Sequence, residues 1–183
     1  PVFNEFLDAF VEHTKNRIKW GDPSRRDVIC GPLITPGDVD RVMEWIDEAA
    51  GSSQVLVKPE RHGNVLTPAV LTGVGPDLKI SRQELFGPAV VVEEVSGWDE
   101  AIERTNDSEF GLQTGVFTND LKALWHCFEK IEVGGIMHNE APTWRADPMP
   151  YGGVKGSGMG REGPVYAIEE MTEPRLLALK PQV

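Results

Sequence analysis

Apolar residues set the first element. Phe3, Phe6, Leu7, Phe10 and Val11 recur at helical spacing and predict an amphipathic helix from residue 2 to about residue 18. Gly21-Asp22-Pro23 ends it. Thr35-Pro36-Gly37-Asp38 opens a second helix, with Thr35 placed to cap it and Pro36 at the first helical position. Val39, Val42, Met43 and Ile46 form its buried stripe, and Gly51 stops it. The period then changes. Gln54–Val57 and Ala69–Thr72 read as strands either side of a turn at Arg61-His62-Gly63-Asn64, and Ala89–Val95 reads as a nearly continuous apolar strand of the kind buried in parallel sheets. A helix from Trp98 to about Thr105, a strand over 113–117, a helix over 120–131 and a strand over 135–139 follow. This alternation predicts an α/β layer around a mostly parallel sheet.

After Asn139 regularity stops for more than twenty residues, in a stretch dense in Gly and Pro. A structureless run of that length inside a domain points to function, with backbone wrapped closely around something. Pro164 to about Met171 returns to helix, and Glu173–Lys180 reads as a terminal strand able to pair with another chain or segment.

Composition narrows the classes. The 183 residues suffice for one domain with a core, and 40% hydrophobic with 26% charged residues is ordinary for a soluble protein. The net charge of -11 argues against nucleic acid or an anionic membrane surface as partner. No apolar run reaches the roughly 18 residues of a membrane span, and no signal-peptide pattern is visible at the start. Two cysteines, Cys30 and Cys127, make no disulfide framework, so a cytoplasmic location is expected. Both read as structural, because His126 and Cys127 are adjacent on a helix and point in different directions. His13, His62 and His138 show no metal-site spacing, so no metal is expected.

Three segments carry candidate chemistry. In Glu84-Leu85-Phe86-Gly87-Pro88, a carboxylate and a phenyl ring stand two residues apart at the entrance of a strand. A carboxylate can accept both hydroxyls of a ribose and a ring can pack beside a nicotinamide; the plainer reading is an exposed Glu and a core Phe. Pro150-Tyr151-Gly152-Gly153-Val154-Lys155-Gly156-Ser157-Gly158 specifies backbone shape, and Arg161-Glu162 reads as an ion pair pinning that loop. Arg145, in Thr143-Trp144-Arg145-Ala146-Asp147, offers a fork for a carboxylate, phosphate, phosphonate or sulfonate, or else a salt bridge to Asp147 or a nearby acid. Gly158-Met159-Gly160-Arg161-Glu162-Gly163 matches G-x-G-x-x-G, but it lacks the strand-to-helix setting and the later acidic residue of a dinucleotide site, so it reads as coincidence.

The motifs Gln83–Pro88 and Asn139–Gly163 together resemble the C-terminal half of aldehyde dehydrogenases, and the likeness runs from about Phe3 to Lys180. Trp144-Arg145-x-Asp147-x-Met149-Pro150-Tyr151 is similar to the lactaldehyde, phosphonoacetaldehyde and non-phosphorylating glyceraldehyde-3-phosphate branch. The resemblance implies a mostly parallel three-layer sheet domain over 1–172 and a terminal oligomerisation strand over 173–183. It implies NAD or NADP as cofactor, with Glu84 at the nicotinamide ribose and Phe86 beside the ring. Arg145, Tyr151 and Thr143 would meet the aldehyde. No residue of the chain matches the family's nucleophilic cysteine or general-base glutamate, both expected upstream, so the chain alone is expected to be inactive and to partner the N-terminal half of the same enzyme in a homo-oligomer. Two other readings stay open: a naturally truncated, non-catalytic homologue acting as an interaction module, and an acylating relative that uses coenzyme A.

Overall fold

Thr35 begins the best-specified helix of the chain. Its hydroxyl accepts from the Asp38 N–H at 3.2 Å, while the Asp38 carboxylate accepts from the Thr35 N–H at 3.0 Å, which completes a reciprocal cap. The computed structural model describes residues 2–181, which fall into two compact units dividing between Glu94 and Val95.

The first unit contains α1 (Phe3–Arg17), α2 (Pro36–Ala50), β1 (Gln54–Val57), β2 (Arg61–His62), β3 (Val65–Leu66), β4 (Ala69–Thr72), α3 (Lys79–Arg82) and β5 (Ala89–Val91). A three-stranded sheet runs in the order β1-β4-β5. Its core is the predicted stripe of α2, with Val39, Val42, Ile46 and Ala49 packed with Leu66, Ala69 and Leu71. Val39, Val42, Leu66 and Leu71 are fully buried, and each such side chain contributes about 1.5–3 kcal/mol by leaving water. α1 forms as predicted but buries no residue completely; an apolar groove remains between it and the strands, bordered by Phe6, Phe10, Pro68, Pro88 and Val90.

The second unit contains α4 (Trp98–Asn106), β6 (Phe110–Gly111), β7 (Gln113–Val116), α5 (Leu121–Lys130), β8 (Gly135–His138), β9 (Val154–Lys155) and α6 (Pro164–Met171). Ile102, Val116 and Cys127 form its small core, with Leu124, Ile131 and Ile136 against them. His126 and Cys127 diverge: the imidazole meets Asp99 at 2.6 Å while the thiol is buried. Trp125 and Phe128 turn outward, each 61% exposed, and pack edge to face on one another.

Strand pairing is mixed rather than mostly parallel. β4–β5 and β7–β8 are parallel, whereas β1–β4, β2–β3 and β6–β9 are antiparallel. Connection length accounts for the β4–β5, β7–β8 and β2–β3 pairings. A parallel pair needs a crossover, which residues 73–88 and α5 supply; the short excursion through β2 and β3 returns the chain antiparallel. β5 also stops early. The Val92 N–H still bonds the Leu71 carbonyl, but the Glu93 side chain then turns to accept from the Val74 N–H at 2.8 Å. Residues 173–181 form no strand; the last two residues of the predicted segment, 182–183, lie outside the described residues. No helix among the described residues is long and apolar enough to cross a membrane.

Candidate active site

Two groups of predicted residues take shape, one in each unit. In the first, Gly87 lies so close to α2 that an added Cβ would sit 2.6 Å from a Val42 methyl. Arg41 holds the preceding turn by donating from Nη1 to the Leu85 carbonyl at 2.7 Å. Between these anchors Phe86 is forced to φ 48° and its ring is 72% exposed. A bulky residue in the left-handed region costs about 1–3 kcal/mol, and such strain gathers where a side chain must be presented rather than packed. Phe86 is therefore not a core residue, contrary to the plainer reading. Glu84 is exposed as well, and its carboxylate has no hydrogen bond or ion pair among the described residues.

In the second unit the long loop after β8 is bound to the strands along its length. Asn139 takes φ 52°, which an asparagine tolerates, and its Oδ1 accepts from the Thr118 N–H at 2.8 Å. The Gln113 side chain donates to the carbonyls of Pro142 and Trp144. Ser157 Oγ accepts from the Gly111 N–H at 2.9 Å, and Lys155 Nζ reaches the Asn106 carbonyl at 2.9 Å and Glu132 at 2.8 Å. Gly134 makes the closest approach: a Cβ there would fall 1.7 Å from the Gly152 carbonyl oxygen. The three glycines at 158, 160 and 163 all have positive φ, so they answer to the path of this loop and not to a nucleotide.

This frame brings Arg145, Tyr151 and Glu162 together. Tyr151 and Glu162 pair through their backbones, with N–H to O distances of 3.1 and 2.6 Å. The Arg145 guanidinium lies 4.4 Å above the centre of the Tyr151 ring and donates to Glu162 Oε2 at 2.9 Å. The partner of Arg145 is thus Glu162 and not Asp147. The expected Arg161–Glu162 pair is also replaced: Arg161 donates to the carbonyls of Gly153 and Gly160 at 2.9 and 2.7 Å. Thr143 is exposed at the loop's start. Glu162 as the Arg145 partner, and Gln113 as the loop's anchor, were not found from sequence; an acid within the same loop was the sole signal for the first.

Neither cysteine is prepared for nucleophilic attack. Burial pushes both the Cys30 and the Cys127 thiol up from the ordinary value, and among the described residues no cation lowers either.

Residues 1–177 match the model of the aldehyde dehydrogenase family. The chain is 43% identical over 179 residues to 3-sulfolactaldehyde dehydrogenase of Priestia aryabhattai, covering 97% of this chain and 37% of that protein. Its structure resembles aldehyde dehydrogenase 21 of Physcomitrella patens in complex with the reaction product succinate (TM-score 0.89, 34% identity, 94% of this chain and 36% of that one). It also resembles the glyceraldehyde-3-phosphate dehydrogenase GapN of Methanocaldococcus jannaschii complexed with NADP (TM-score 0.87, 32% identity, 93% and 37%). The chain therefore spans a little over a third of the length of these relatives.

Proposed function

The chain belongs to the aldehyde dehydrogenase family, and we propose that it is the part of an NAD(P)-dependent enzyme that receives an anionic aldehyde and the nicotinamide end of the cofactor, the product being the carboxylic acid. The observation that carries this is Arg145, a guanidinium stacked on Tyr151 in a loop fixed to the strands beneath it. Arg presents paired N–H donors that match carboxylate, sulfonate or phosphate oxygens, and Tyr151 sets the plane in which they lie. The Priestia relative acts on an aldehyde bearing a sulfonate and the Physcomitrella structure holds the dicarboxylate succinate, so anionic ligands recur among similar proteins. Thr143, exposed nearby in the same loop, adds a hydroxyl to the approach.

NAD or NADP, when bound, supplies the hydride acceptor. Glu84 would hold the nicotinamide ribose through its free carboxylate, and Phe86 would lie beside the ring. The GapN neighbour, solved with NADP, supports NAD or NADP as the cofactor. No residue of this chain matches the family's nucleophile or general base, so both would lie in a part of the relatives' length that it does not span, and the 183 residues alone would not oxidise aldehydes. The N-terminal half of the same enzyme is then the partner that covers the apolar groove beside α1 and the exposed face of α6, where Val165, Ile168 and Met171 are at least 60% exposed. Leu176, Leu177 and Leu179 are at least 78% exposed, and residues 173–183 would complete a strand ladder in a homo-oligomer.

The test is steady-state kinetics of the complete enzyme carrying Arg145→Ala. KM for a sulfonated or carboxylated aldehyde is expected to rise about tenfold or more, the worth of a charge-assisted hydrogen bond, with little change for a neutral aldehyde. An equal effect on both would remove the anionic substrate from the assignment.

A further inference from the structure

Arg145 is not an open receptor, because it already holds a carboxylate. Glu162 accepts one hydrogen bond from Nη2, and no other donor of the guanidinium is engaged by a described residue. The pair is partly in water, with side-chain exposures of 42% for Arg145 and 66% for Glu162. Exposed pairs of this kind are weak, so an incoming anion can compete. The Glu162 main chain nonetheless stays beside the site. It is paired on both sides to Tyr151, whose ring carries the guanidinium.

Resting on the reading of Arg145 as the substrate's anion receptor, we propose that Glu162 tempers the preference of this site for dianionic phosphate over singly charged sulfonate or carboxylate. A ligand anion that takes the free donors of Arg145, or displaces the carboxylate from Nη2, still has that carboxylate within a few ångströms. Each negative charge on the ligand gains from the guanidinium and loses to Glu162. A phosphate monoester carries about -1.5 to -2 at neutral pH, a sulfonate only one charge. One additional charge at about 6 Å from a carboxylate changes binding about threefold in bulk water and about tenfold at half that dielectric. Arginine alone would favour the dianion; the carboxylate beside it, farther from the ligand than the guanidinium, reduces that advantage.

The experiment is an NMR titration of the 183-residue chain with ethanesulfonate and, separately, ethyl phosphate, at a pH well above the second phosphate pKa of about 6. Wild type is compared with Glu162→Gln and Arg145→Gln. Glu162→Gln is expected to shift the ratio of the two Kd values about three- to tenfold in favour of phosphate. Glu162→Asp, which keeps the charge, is expected to retain the wild-type preference. The Tyr151 and Glu162 amide signals report whether the backbone pairing survives, and Glu162→Ala repeats the comparison if the Gln variant disturbs it. An unchanged ratio in Glu162→Gln, with Arg145→Gln abolishing both titrations, overturns the role of Glu162 and leaves the receptor standing. Wild-type binding in Arg145→Gln overturns the receptor itself.

Discussion

The core around α2 and the loop over residues 139–163 are held by different physics. The first is apolar burial: Val39, Val42, Leu66 and Leu71 have no exposed surface, and α2 needs only its stripe and its cap to lie where it does. The second buries almost no side chain. It is fixed by hydrogen bonds that Gln113, Lys155 and Arg161 donate and Ser157 accepts, and by backbone approaches that only glycine permits. Burial is non-directional and tolerates repacking, so it suits a support. Hydrogen-bonded backbone fixes positions and leaves side chains free, which suits the proposed presentation of Arg145 and Tyr151 to a ligand.

Substitutions in the two regions should therefore fail in different ways. Leu71→Ala removes a fully buried side chain and should cost about 3 kcal/mol of stability, read as a lower urea midpoint for the first unit. If the loss is under about 1 kcal/mol, burial is not what holds this region. Gly134→Ala drives a Cβ into the Gly152 carbonyl and should cost about 1–3 kcal/mol, expressed as faster amide exchange in the loop. The contrast sharpens if the amides of β1 and β4 keep their protection in this variant.

The cap of α2 gives the smallest effect. Thr35→Ala should cost about 1 kcal/mol. It also has a pH signature. Hydrogen bonds from the Thr35 side chain, and then from its backbone, lower the Asp38 carboxyl below its ordinary value of 3.8. A folded-state value below the unfolded one gives stability that is complete above the unfolded pKa and is lost as pH falls through the folded one. Acid titration of stability below about pH 4 should accordingly be shallower in Thr35→Ala than in wild type. Equal slopes would show that the cap does not set the Asp38 titration.

The same contrast explains what was legible in the sequence. Helical period, Thr35 and Pro36 placed α2 to within a residue, because burial and capping are local signals. The candidate residues Glu84, Phe86, Arg145 and Tyr151 were legible as motifs, but their surroundings were not. The partner of Arg145 lies seventeen positions away and is delivered by a bridge between Tyr151 and Glu162 that no periodicity announces. The run from Ala89 to Val95 misled for a related reason: its composition suits a buried strand throughout, yet Glu93 turns to serve the Val74 N–H and Val90 stays 45% exposed beside the groove.

The central claim is that these residues receive substrate and cofactor while the bond-making groups lie elsewhere. The most direct test is to mix the 183-residue chain with a sulfonated aldehyde and NAD or NADP and follow reduced nicotinamide. No turnover is predicted, since neither cysteine matches the family's nucleophile and burial raises both thiols from the ordinary value. Sustained turnover that disappears in Cys30→Ser or Cys127→Ser would contradict the account.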